Sequence, residues 1–132
     1  MRPATLAEAV DRIVGGVPQE KALPEFLDTF YLAPTVERKL ASIADRPEET
    51  GDRHLDAFVG AAAEYLARQY QLPKIPEWVF EPHRFLDRAW HVSQLDDPAM
   101  REYLTFASPA EFRSRNIFTE ERPLRRARAK VA

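Results

Sequence analysis

The 132-residue chain contains no cysteine, and this absence excludes several kinds of chemistry at once. Without thiols the protein can form neither disulfides nor cysteine-ligated zinc sites, and it has no cysteine nucleophile. The sequence also lacks a glycine-rich phosphate loop, a Gly-x-Ser-x-Gly elbow and a His-Glu-x-x-His pair, so the commonest motif-bearing enzyme classes are unsupported. The residues therefore favour a non-enzymatic protein without a cofactor or a bound metal ion.

Long apolar runs are also missing. No stretch approaches the roughly 18 consecutive apolar residues of a membrane span, and the N-terminal residues 1–5 carry no apolar run of the kind found in signal peptides. Hydrophobic residues make up 45% of the chain and charged residues 30%, as is usual for a globular protein of one domain. We expect a cytoplasmic protein.

No segment alternates apolar and polar residues in the manner of a β-strand, whereas helical spacing recurs along the chain. We therefore predict an all-α fold, a single compact domain of about five to seven helices. Thr5 and Glu8 form a capping box at the start of the first helix. The strongest helix is expected from about Asp52 to Gln71, and its small residues at 60–63 should let a neighbouring helix approach closely.

Proline shapes the segment 72–92, which contains Pro73, Pro76 and Pro82 together with several large aromatic residues. Proline interrupts helices, so we expect short turns pinned by aromatic side chains rather than a long helix. Further helices are predicted after Asp97-Pro98 and after Ser108-Pro109, where a capping residue precedes proline.

The charge of the chain is unevenly distributed. The net charge is −2, but five basic residues and no acidic residue lie between Arg122 and the C-terminus, so residues 1–121 carry −7 and residues 122–132 carry +5. We predict a helical domain at 1–116 and a basic C-terminal tail at 117–132.

Arginines around this boundary are the most unusual feature of the sequence. Such residues pair with acidic protein surfaces or with phosphates. Because the sequence pI is near 5.9, a protein partner is at least as well supported as nucleic acid. A solvated tail without a partner is the remaining alternative. The predicted partner-binding residues are Arg113, Arg115, Phe118, Arg122, Arg125 and Arg126.

An enzymatic alternative involves Arg84 and His91. Their spacing is similar to the Arg-x(4–6)-His signature of the HEPN family of helical RNA-cleaving domains. That resemblance implies that Arg84 steadies a phosphate and that His91 moves a proton. The competing interpretation is that both residues flank a packed Phe85-Leu86 pair.

A metal site is another hypothesis for the segment 83–91. His83, Asp87 and His91 recur at intervals of four, which would align them on a helix. The surrounding prolines argue against such a helix, and packing or surface roles are favoured.

Two stretches of the C-terminal half resemble a group of small uncharacterised bacterial proteins. The first comprises Ser108 to Phe118 with the Arg125 to Ala127 triplet, and the second comprises Trp78 with the run from Pro82 to Trp90. Members of this group are often encoded beside a nucleotidyltransferase-like toxin. The resemblance, over residues 78–127, implies an antitoxin-like protein that binds such a partner. The first alternative is a nucleic-acid-binding regulator that uses the basic tail.

Overall fold

A computed structural model describes residues 1–92, 98–120 and 122–124. Within these ranges the chain forms six α-helices, so the predicted all-α class is confirmed. No helix there is long and apolar enough to cross a membrane. The helices are α1 (Leu6–Val14), α2 (Gln19–Leu32), α3 (Val36–Ala44), α4 (Arg53–Gln69), α5 (Pro98–Ala107) and α6 (Ala110–Arg113).

The helix α4 is the centre of the domain. It packs against α6 and against two 3-10 turns, Glu77–Phe80 and Pro82–Arg84, which replace the long helix that proline excludes. Most of its side chains are buried, including Leu55, Val59 and Leu66. Asp52 caps the helix by accepting a 3.1 Å hydrogen bond from the Leu55 amide. The sequence prediction of a strong helix here is confirmed.

The helices α1, α2 and α3 form the other part of the body. Thr5 caps α1 by accepting a 3.0 Å hydrogen bond from the Glu8 amide, as the capping box predicts. At the C-terminal end of α2, Lys39 of α3 donates hydrogen bonds to the carbonyls of Phe30, Tyr31 and Ala33. These hydrogen bonds connect α3 to the end of α2.

One small parallel strand pair departs from the predicted absence of sheet. β1 (Trp90–His91) pairs with β2 (Ile117–Phe118) in the register Trp90 to Ile117 and His91 to Phe118. Asn116 precedes β2 in the left-handed region, with φ of 64°. Two-residue strands are too short to produce a visible alternation pattern.

The packed body does not end at residue 116. Ile117 and Thr119 are buried, and Leu124 joins the hydrophobic core. The Tyr31 hydroxyl donates a 2.7 Å hydrogen bond to the Leu124 carbonyl, which fastens this segment to α2. The predicted boundary between 116 and 117 therefore falls inside the packed body. The predicted helix start at Asp97 and the tail residues 125–132 lie outside the described residues.

Candidate functional site

Arg84 is a structural residue. Its side chain has no solvent exposure, and its guanidinium donates to the carbonyls of Asp56, at 3.1 Å, and Pro47, at 2.9 Å. It also pairs with Glu81 at 3.1 Å and stacks over the Trp78 ring, 4.7 Å from the centroid. The RNA-cleavage hypothesis needs Arg84 to steady a phosphate, but the donors of this guanidinium are used inside the fold.

The small residues of α4 explain how Arg84 fits. A Cβ atom added at Gly60 would lie 3.0 Å from the Arg84 Cδ atom and 3.3 Å from the Val79 carbonyl oxygen. The close approach predicted for residues 60–63 is present at Gly60. The neighbours there are the Arg84 side chain and the backbone of a 3-10 turn, whereas the sequence suggested a second helix.

Arg115 is also buried, with no exposed side-chain surface. It follows α6 and reaches across to α4, where it pairs with Glu64 at 2.7 Å. It also donates to the carbonyls of Val79 and Glu111, each at 2.7 Å, and its guanidinium lies over the Phe85 ring at 4.5 Å. The fold itself therefore uses the guanidinium of Arg115, which the sequence predicted as a partner-binding residue.

Burial has a direct electrostatic consequence for both arginines. It lowers the pKa of Arg84 and of Arg115, whereas the neighbouring carboxylates of Glu81 and Glu64 act in the opposite direction. Burial alone would raise the pKa of Glu81, but hydrogen bonds from Arg46 and Arg84 outweigh it and hold that pKa below its ordinary value. These charges are paired within the protein and do not form an open anion site.

His91 and Phe118 pack against each other. They are partners in the strand pair, and their rings stack at 5.2 Å with an interplanar angle of 24°. Both side chains are half-buried, so Phe118 is partly committed to the fold rather than freely available to a partner.

The three residues considered as metal ligands do not share a helix. His83 lies in a 3-10 turn, Asp87 is in a loop paired with Arg53 at 3.2 Å, and His91 is in β1. The part of the chain that the structure describes contains no cluster of three or more metal-ligating side chains.

Two of the predicted partner-binding arginines are exposed. Arg113 lies on α6, and Arg122 follows the short β2 segment. Arg122 lines a shallow pocket of about 360 Å³ together with Ala107 and Pro109, the residues that end α5 and precede α6. Arg125 and Arg126 lie outside the described residues.

Helix α5 exposes two aromatic residues that the sequence analysis did not select. Tyr103 is 54% exposed and Phe106 is 75% exposed, whereas Leu104 between them is buried. Helical periodicity could have indicated this exposure, because successive helical residues are about 100° apart. Phe106 therefore lies about 200° around the helix from the buried Leu104, on nearly the opposite face. We call Tyr103, Phe106, Arg113 and Arg122 the α5 surface.

No family model, curated protein or solved structure matches this chain.

Proposed function

We propose that this protein is a non-enzymatic interaction module whose contact region is the α5 surface. The observation that carries this proposal is the exposure of Tyr103 and Phe106 on one helix. Large aromatic side chains are enriched where proteins contact one another, because they bury much area at little entropic cost. Isolated exposed apolar residues are common, but aromatic side chains and arginines are both enriched at the residues that dominate protein contacts.

The charges of this region favour a protein partner. Arg113 and Arg122 are exposed and able to pair with carboxylates in a two-pronged geometry. Glu102 is exposed on α5 as well, and Glu111 lines the same shallow pocket as Arg122. A phosphate backbone would be repelled by these two carboxylates, whereas a protein surface of mixed charge can match them.

The identity of the partner follows from the resemblance of residues 78–127 to small bacterial proteins encoded beside nucleotidyltransferase-like toxins. In the proposed mechanism the protein is antitoxin-like and holds such a toxin inactive. Nucleotide-handling clefts carry carboxylates that bind metal ions, and arginines of the α5 surface would cover these carboxylates while the two aromatics bury apolar area. Of the other residues predicted to bind a partner, Arg115 is paired with Glu64 inside the fold and Phe118 stacks on His91.

The test is a pull-down from a nuclease-treated lysate of the native host, with the full chain as bait and mass spectrometry as the readout. We expect a nucleotidyltransferase-type protein to be retained in stoichiometric amount. The bait carrying Tyr103→Ser and Phe106→Ser should lose it. A second bait carrying Arg113→Glu and Arg122→Glu should lose it too.

Matched controls distinguish specific binding by the α5 surface from nonspecific adsorption. Phe80 is 50% exposed in a 3-10 turn and Arg38 is exposed on α3, so Phe80→Ser and Arg38→Glu remove comparable groups outside the α5 surface. Both controls should retain the partner. Retention of nucleic acid alone, or equal retention by all baits, would contradict the proposal.

A further inference from the structure

A cavity of about 650 Å³ lies between α2 and the N-terminal half of α4, away from the α5 surface. Its floor consists of core residues, since Leu6, Phe26 and Val59 all line it and are each 1% exposed. The cavity therefore reaches from the surface into the hydrophobic core. An apolar cavity of this depth lowers stability unless an apolar group fills it.

One wall of the cavity is formed by the C-terminal segment. Pro123 and Leu124 line it, and the hydrogen bond from the Tyr31 hydroxyl to the Leu124 carbonyl holds this wall against α2. The volume lies within the range of about 300–1,000 Å³ that is usual for small-molecule sites. A cavity of this size suits a compact ligand better than a long partner helix.

The charged residues that line the cavity among those described are acidic. Glu20 and Asp52 line it and are exposed, and no lysine or arginine is among its described lining residues. Asp52 accepts the capping hydrogen bond of α4 through its Oδ1 atom. His54 stacks on Trp90 at 4.3 Å with an interplanar angle of 7°, and both rings line the cavity.

We propose that this cavity binds a small apolar molecule that carries a cationic amine. The apolar part of the ligand fills the floor and removes its surface from water. The ammonium group lies near the exposed Glu20 and Asp52 carboxylates, which attract a cation through their charge. This proposal does not depend on the partner-binding role of the α5 surface.

The test compares three probes of eight carbon atoms that carry different head groups: n-octylammonium, 1-octanol and octanoate. Binding to the full chain is measured by isothermal titration calorimetry at neutral pH, below the concentrations at which the probes form micelles. We expect octylammonium to bind about tenfold more tightly than octanoate, with octanol between them, because the carboxylates attract one head group and repel the other. Trp90 fluorescence should change with each bound probe.

Variants separate the two parts of the proposed site. Ala62 lines the cavity and is nearly buried, so Ala62→Phe should occupy the space and abolish binding of all three probes. Leu23→Phe, at a half-buried lining position, is the second variant if Ala62→Phe does not fold. The double variant Glu20→Gln with Asp52→Asn keeps a capping side chain and should bind all three probes with similar affinity.

The exposed carboxylate of Glu37 on α3 provides the matched control, and Glu37→Gln should leave the head-group preference unchanged. The proposal is overturned if no probe binds or if octanoate binds as tightly as octylammonium. It is also overturned if binding persists in a folded variant whose cavity is filled.

Discussion

Arg115 and Glu64 are 51 residues apart in the chain, yet their side chains form a buried ion pair of 2.7 Å. The pair connects the end of α6 to the middle of α4. Arg68 shares the same carboxylate at 2.9 Å, so Glu64 is paired on both of its oxygen atoms. A buried charge is costly unless it is paired, and this arrangement therefore makes each partner necessary to the other.

Replacing Arg115 with methionine should reduce the free energy of unfolding by about 3–5 kcal/mol, because one oxygen of Glu64 and the carbonyls of Val79 and Glu111 lose a donor. The measurement is urea unfolding followed by circular dichroism. The matched control is Arg113→Met, two residues earlier and exposed, for which a change within about 0.5 kcal/mol is expected. Equal effects of the two substitutions would contradict a structural role for Arg115.

Gly60→Ala should destabilise the protein even though alanine is the better helix former. The gain in helix propensity is about 1 kcal/mol. The new Cβ atom would lie 3.0 Å from Arg84 and 3.3 Å from a backbone oxygen, and overpacking of this kind costs about 1–3 kcal/mol. Thermal unfolding should therefore show a lower Tm.

Gly15→Ala is the control for this prediction. Gly15 ends α1 with φ of −78°, and its nearest neighbours to an added Cβ are at an ordinary 3.5 Å. This substitution should leave stability unchanged or raise it by up to about 1 kcal/mol. If Gly60→Ala raised the Tm as much as Gly15→Ala, the packing at Arg84 would be looser than described.

Lys39→Met should lower stability by about 1–3 kcal/mol, because the terminal carbonyls of α2 lose a shared donor. Burial lowers the pKa of Lys39, and its ammonium supplies three N–H donors for the three carbonyls. Chemical unfolding of Lys39→Met beside Arg38→Met measures the effect. Arg38 is exposed on the same helix, so its loss should matter little.

Glu81→Gln should make stability less dependent on acid pH. The pKa of Glu81 in the folded protein is below its ordinary 4.5, since hydrogen bonds from Arg46 and Arg84 outweigh the effect of burial. The ionised carboxylate therefore contributes stability above pH 4.5, and this contribution is lost as the pH falls through the lower folded pKa.

The expected result is that the native protein exceeds Glu81→Gln in free energy of unfolding at about pH 7 and that the difference shrinks toward about pH 3. Urea titrations at several pH values measure this difference. Glu37→Gln, at an exposed position, should show little change across the same range. A difference for Glu81→Gln that stays constant with pH would contradict the proposed pairing.

Local sequence determined most of the helical framework. The cap formed by Thr5, the cap formed by Asp52 and the apolar periodicity of α4 each depend on residues within a few positions, so they could be predicted without a structure. The prolines of 72–92 likewise excluded a long helix for a local reason, which is that proline lacks a backbone donor.

Only the tertiary structure decided which arginines face solvent. In the sequence, Arg113 and Arg115 differ by two positions and looked equivalent, but one is exposed and the other is buried against Glu64. Arg84 is likewise assigned by contacts with Pro47 and Asp56, residues distant in the chain. The environment of a single charged side chain depends on which distant carbonyls and carboxylates the fold brings near it, and no local pattern encodes that proximity.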